Sequence, residues 1–171
     1  LEQVAGWHDR VWLVTEGTMG GNPANGVELW LAQNAFAGTE TWIEGYRLVP
    51  YTFAQPEVPF DIVSVSVAFG NSIIRLDSYT IQVIEQPSAA GWINIRLTWS
   101  ATAQPDVDYT VFVHLLDANG ALVAQHDGLP VASYAPTRSW QSGDMIQDQR
   151  SLSLPETLPP GEYRLMVGLY N

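Results

Sequence analysis

The sequence predicts a mainly β chain: an antiparallel β-sandwich, immunoglobulin-like or jelly-roll in shape, preceded by a small strand–helix–strand α/β segment. Three observations predict it. The run Asp108-Tyr109-Thr110-Val111-Phe112-Val113-His114-Leu115-Leu116-Asp117 is followed by Ala118-Asn119-Gly120 and a second β-prone run through His126 and Asp127. An Asn-Gly turn between two such runs is the strongest short-range hairpin signal, because both turn residues tolerate positive φ. Residues 92–99 alternate, with Ile93, Ile95, Leu97 and Trp99 on one side and Asn94, Arg96 and Thr98 on the other, as in a half-buried strand. Finally, β-prone runs recur at 62–69, 73–84, 92–99, 109–116, 121–126, 145–154 and 163–170 with turn residues between them and no intervening helix, which is the pattern of a sandwich.

Taken in order, Val11-Trp12-Leu13-Val14 reads as a short buried strand, and residues 15–25 as a loop with a Gly20-Gly21 pair and Pro23. Residues 26–37 carry a helical period through Val27, Trp30, Leu31, Ala35 and Phe36, with Asn25 or Asn22 as N-cap and Gly38 placed as C′. Strand character returns over 41–53. A segment of this size holds no core of its own and must pack on the later strands or on something absent. Gln55-Pro56-Glu57-Val58-Pro59 punctuates the chain, since neither proline donates to a ladder and each biases its predecessor away from helix. The division is therefore 1–56, the strand–helix–strand segment, and 57–171, the sandwich. Within 109–116 both alternating sets are apolar apart from Thr110 and His114, which predicts a central strand covered on both faces. With Asn119-Gly120 as a two-residue turn, His114 falls opposite Gln125, and a His–Gln hydrogen-bonded pair is the simplest role for it.

Composition excludes several functions. The net charge is −11, and all seven basic residues are arginines scattered singly along the chain. Such a chain cannot neutralise a row of phosphates or dock on an anionic leaflet, so nucleic acid and electrostatic membrane binding are not expected. Without cysteine there is no disulfide, thiolate nucleophile or thiolate zinc site. No apolar run approaches the ~18–20 residues of a membrane span, so direct membrane insertion by this chain is not expected. The first residue is Leu1 rather than methionine, which reads as a processed or excised piece.

Residues 108–170 resemble the β-sandwich at the extracytoplasmic C-terminal end of bacterial polytopic glycosyltransferases of the protein-mannosyltransferase-like type, found in filamentous green bacteria and their relatives. The resemblance lies in residues 109–117, Gly120, Val123-Ala124-Gln125-His126-Asp127-Gly128, Pro130, Trp140, Gly143, Asp148, Leu152, Leu154-Pro155, Leu158-Pro159-Pro160-Gly161, Tyr163 and Val167-Gly168-Leu169-Tyr170. Arg10-Val11-Trp12-Leu13-Val14, residues 27–36 and Arg47-Leu48-Val49-Pro50-Tyr51 resemble the α/β segment that precedes it in such proteins. The resemblance implies a non-catalytic accessory ectodomain, because the catalytic acidic residues of such transferases lie in loops between membrane helices. Its implied partners are the membrane portion of the transferase or a glycan, and its implied location is extracytoplasmic, at the cell surface or secreted.

The side chains themselves give candidates of lower specificity. His8, His114 and His126 lack metal-binding spacing. Asp117-Ala118-Asn119-Gly120 opens like a calcium loop but lacks the later ligands, so a hairpin turn is favoured, with Asp117 and Asn119 the weak candidates for a Ca²⁺ ion at one sandwich end. The doublets Asp106/Asp108 and Asp144/Asp148 read as turn carboxylates, and no serine has the surroundings of a nucleophile. Trp140 lies in a loop with Tyr134, Arg138 and Gln141, a composition that fits either a sugar-stacking platform or an apolar plug over one end of the sandwich. The candidate ligand-binding residues are Trp140, Tyr134, Arg138, His114 and Asp127, with no catalytic residue assigned. Two rivals to the accessory, glycan-engaging domain stand: a self-assembling extracellular fibre or surface-layer subunit joined as a homo-oligomer or filament by strand pairing, favoured by long apolar strands without lysine, and, more weakly, a stand-alone carbohydrate-active enzyme.

Overall fold

The computed structural model describes residues 1–16, 25–85 and 90–171. The expected Gly20-Gly21 pair, Pro23, the alternative cap Asn22 and the turn at Pro87 lie outside the described residues. Within them the order is α1 (Glu2–Trp7), β1 (Arg10–Glu16), α2 (Gly26–Asn34), β2 (Phe36–Ala37), β3 (Thr41–Ile43), β4 (Tyr46–Thr52), β5 (Asp61–Phe69), β6 (Ile74–Ile84), β7 (Trp92–Ala101), β8 (Thr110–Leu116), β9 (Leu122–Gly128), β10 (Met145–Ser153) and β11 (Arg164–Tyr170). Two single-turn 3₁₀ helices, Val131–Ser133 and Thr137–Ser139, occupy the connection from β9 to β10.

The fold is an antiparallel β-sandwich. Strands β10-β7-β6-β5 face the three-stranded sheet β11-β8-β9, and the main core lies between them, built around Ile74, Ile95, Leu97, Trp99, Val111 and Val113. The alternation in β7 holds: Ile93, Ile95, Leu97 and Trp99 enter this core. Its polar side is covered as well, because Asn94 accepts a hydrogen bond from Thr52 Oγ1 at 2.6 Å and donates to the Phe53 carbonyl at 3.3 Å. Arg96 lies over the rings of Phe36 and Phe60.

The N-terminal strands continue the large sheet. β1 and β4 pair antiparallel, β3 closes a hairpin on β4, and β2 joins β4 to β10 through a parallel contact at Ala37 and Arg150. A second cluster of Leu31, Ala35, Val49, Tyr51 and Phe53 packs α2 against this part of the sheet. Asn25 caps α2 as expected, its side chain accepting from the Glu28 amide at 3.1 Å. The helix ends at Asn34, three residues earlier than its sequence period implies. Ala35 is already extended, and both Phe36 and Ala37 are buried in a ladder with β4. Gly38 is therefore not a helix C′ residue. It abuts Pro50, where a Cβ would lie 2.8 Å from the proline Cγ.

The β8–β9 hairpin has the expected pairing of His114 with Gln125, but the turn differs. A bulge next to Leu122 shifts the register, and the Asp117 amide donates to the Ala121 carbonyl, leaving a three-residue loop of Ala118, Asn119 and Gly120. β8 is central in its sheet, yet only Val111, Val113 and Leu115 of it are buried; among the described residues no layer covers the side bearing Phe112 and His114. The expectation of cover on both faces is corrected accordingly.

Trp140 is 1% exposed and belongs to the main core, with its Nε1 donating to the Ala135 carbonyl at 2.9 Å. It is the plug and not the platform, since a ring sealed inside the sandwich offers no face to a sugar. Replacing Trp140 by alanine is expected to lower stability by ~3–5 kcal/mol, the cost of deleting a buried aromatic and leaving a cavity. Urea unfolding checks this, and an unchanged midpoint would put the ring outside the core.

Candidate functional site

Strand alternation places Thr110, Phe112 and His114 on the open side of β8. The register sets Asp127 of β9 and Gly168 of β11 beside Phe112, and Tyr170 beside Thr110. Gly168 has a specific role here. A Cβ on it would lie 2.5 Å from both Cε1 and Cζ of Phe112, so the absent side chain lets the phenyl ring lie down across β11. The Phe112 ring is then 6.3 Å from Tyr170 at an interplanar angle of 33°, and 4.8 Å from the His114 imidazole at 41°. Three rings lie side by side along an open sheet face.

Asp127 ties this row together. Its Oδ1 is 2.9 Å from His114 Nε2, and its Oδ2 accepts from the Tyr170 hydroxyl at 3.2 Å. An ionised carboxylate only accepts, so in this contact the proton rests on Nε2. Partial burial raises the Tyr170 pKa above the ordinary phenol value, with the Asp127 charge adding to it. The expected His114–Gln125 hydrogen bond does not form. Gln125 sits directly opposite, but the imidazole turns to the diagonal neighbour Asp127, whose charge makes the stronger acceptor.

Beside this face opens a cleft of about 290 Å³, whose wall Asp127 and Thr110 share with Glu40, Arg47, His126, Asp148 and Arg150. Arg47 is held between Glu28, 2.6 Å from its Nη1, and Glu40. Burial opposes the Arg47 charge, yet the two carboxylates outweigh it and its pKa is raised. Asp148 pairs with Arg150 at 2.7 Å, and both are almost wholly buried. His126 is buried, its ring set against the backbone of Ala37 and Ser151. Desolvation, reinforced by the positive charge of Arg150, holds it neutral with a pKa of about 3.

Of the five predicted ligand-binding residues, His114 and Asp127 come together, and the other three do not join them. Trp140 is in the core. Tyr134 is drawn to Glu28, whose charge, after burial, raises its pKa. Arg138 lies on the exposed turn beside Asp108, which accepts from its backbone amide at 2.9 Å. Asp117 Oδ1 accepts from the amides of Asn119 and Ala121, so it closes the hairpin loop. Asp144 caps its own turn through Gln141, and among the described residues no three metal-ligating side chains cluster. Sequence reasoning missed Phe112, Tyr170 and the Asp148–Arg150 pair. The signal for the pair was the run Gln147-Asp148-Gln149-Arg150, four polar residues inside an otherwise core-forming strand.

No protein-family model matches the chain, and no curated protein matches it. Among solved structures the chain is similar to the variable (V) domain of the AgI/II polypeptide BspA of Streptococcus agalactiae, with a TM-score of 0.27 and 8% identity over 80% of this chain and 87% of that one. No residue role is carried over from it. No helix among the described residues is long and apolar enough to cross a membrane.

The His126 pKa yields a signed prediction. It falls from 6.5 to about 3 on folding, so the unfolded chain takes up a proton that the folded one refuses. The resulting stabilisation is complete above pH 6.5 and is lost as pH falls toward 3, at up to ~1.4 kcal/mol per pH unit. Urea midpoints measured between pH 7 and pH 4 are expected to fall less steeply in His126→Phe than in the wild type; parallel slopes would contradict the assignment.

Proposed function

We propose that the chain is a non-catalytic extracytoplasmic accessory domain that engages a glycan, in the service of a membrane glycosyltransferase-like partner. The observation that carries the glycan reading is the row Phe112, His114 and Tyr170 organised by Asp127 on an open sheet face. A pyranose offers C–H faces that stack on aromatic rings and hydroxyls that seek fixed donors and acceptors, and this face supplies both within one strand spacing of each other. Its openness to water suits binding better than acid–base chemistry, which gains from a closed, desolvated site. The neighbouring cleft adds room where a bound ring could turn inward. The link to a transferase rests on the resemblance of residues 108–170.

Titration against a panel of oligosaccharides tests the reading. Wild-type protein is expected to bind at least one member, and Tyr170→Ala and Asp127→Asn to weaken that binding at least tenfold while the near-ultraviolet circular dichroism stays native. A panel without a single binder would remove the glycan reading.

A second reading, assembly by strand pairing, is supported by β5. This nine-residue strand ends the large sheet with Ile62 74% exposed and Val67 46% exposed, and no lysine guards it. Its bulge between Ser64 and Val67 works against pairing. If assembly is the function, light scattering across concentrations shows growing particles that Ile62→Lys returns to monomer. A wild-type monomer at every concentration counts against it.

A further inference from the structure

We infer that the outer edge of β1 is a homodimer interface, at which a second copy of this chain adds its own β1 antiparallel about a two-fold axis at Leu13. β1 ends the large sheet opposite to β5, and among the described residues no strand pairs with its outer side. All seven of its residues pair with β4 without a bulge, and no lysine or proline interrupts them, so the devices that usually blunt a sheet edge are missing.

The backbone shows which groups that edge presents. The Phe53 amide donates to the Asp9 carbonyl at 2.9 Å, whereas the Pro50 carbonyl turns away from β1 and accepts from the Gly38 amide at 2.8 Å. By the alternation of an antiparallel ladder, Val11, Leu13 and Thr15 then direct their amides and carbonyls toward β4, and Arg10, Trp12, Val14 and Glu16 direct theirs outward. Such a row is a template for a further strand.

The sequence of β1 complements itself in one register. Turned about Leu13, Arg10 meets the partner's Glu16 and Trp12 meets the partner's Val14, and each contact occurs twice. All of these residues carry outward backbone groups, so the register that matches the charges also matches the hydrogen bonds. Moving the axis to Trp12 or to Val14 keeps the bonds but sets Arg10 opposite Val14, or Glu16 opposite Trp12. Within one copy the two charges are available: among the described residues neither Arg10 nor Glu16 is ion-paired, and Arg10 rests over the Trp92 ring at 5.5 Å.

Apolar surface accompanies both sides of the edge. On the face away from α2, Trp12 is 57% and Val14 55% exposed, in line with Leu48, Tyr46 and Ile43. On the other face Leu13 lines a groove of about 160 Å³ with Val4, Val11, Val27 and Trp30, and the partner's Leu13 would lie beside it. Each chain has one β1, so this pairing closes at two copies, unlike growth through β5.

Sedimentation equilibrium of the whole chain from micromolar to millimolar concentration tests the interface. The wild type is expected to pass from one chain mass to two and to stop there. Arg10→Glu and Glu16→Arg are each expected to weaken the pair about tenfold, since two symmetry-related ion pairs become like-charged contacts. A mixture of the two variants is expected to regain the wild-type affinity, because each strand then meets the opposite sign at both ends. Val14→Pro removes an outward amide without touching the β4 ladder, and is expected to leave a monomer with native circular dichroism. A wild-type monomer throughout, growth beyond two chains, or a dimer that these substitutions leave intact overturns the inference.

Discussion

The guanidinium of Arg150 holds this fold together at the point where its three parts meet. The Arg150 backbone pairs with Ile95 of β7 on one side and Ala37 of β2 on the other. Its side chain crosses to the small sheet, donating to Asp148 within its own strand, to Val111 of β8, and to Gly128 and Leu129 at the end of β9. Asp148 completes the set by accepting from the Val131 amide at 2.8 Å. A buried charge is costly unless it is paired and fully hydrogen-bonded, and here the carboxylate and three carbonyls meet that condition. Since removing one partner would leave the other buried and unpaired, the arrangement fixes one relation between the sheets.

The candidate site follows from that relation. Arg150 anchors the chain where β9 ends, so Asp127, one residue earlier, is held between His114 and Tyr170. The same anchoring brings Val131–Ser133 over the cleft and sets Asp148 in its wall. Burial of His126 beside Arg150 is part of this junction, and it makes the stability of the domain sensitive to acid. Structural centre and candidate binding surface thus share side chains, and the open sheet face differs from an ordinary solvent-facing one in having its polar groups fixed before any ligand arrives.

Much of the fold was legible because it is local. The β7 alternation, the pairing of His114 with Gln125 and the Asn25 cap derive from strand period, turn chemistry and helix-end hydrogen bonding. The expectations that failed depended on distant partners. Phe36 and Ala37 fit a helical period, and only β4 and the remote Arg150 on β10 convert them to strand. For Trp140 the local sequence fits both a platform and a plug, and the packing of its ring in the core decides for the plug. The site was half legible: His114 and Asp127 stand out as polar residues in β-prone runs, whereas Tyr170 joins them only because β11 pairs with β8.

The position of a bound glycan is the most direct test of the Phe112–Tyr170 face. Nuclear magnetic resonance titration of the whole chain with the tightest-binding oligosaccharide, followed through its amide signals, locates it. The largest shifts are expected to cluster at Thr110, Phe112, Asp127, Gly168 and Tyr170 and to extend into the cleft at Thr39 and Glu40. Shifts confined to β1 and β3, or spread along the β5 edge with that face unmoved, would contradict a glycan site there.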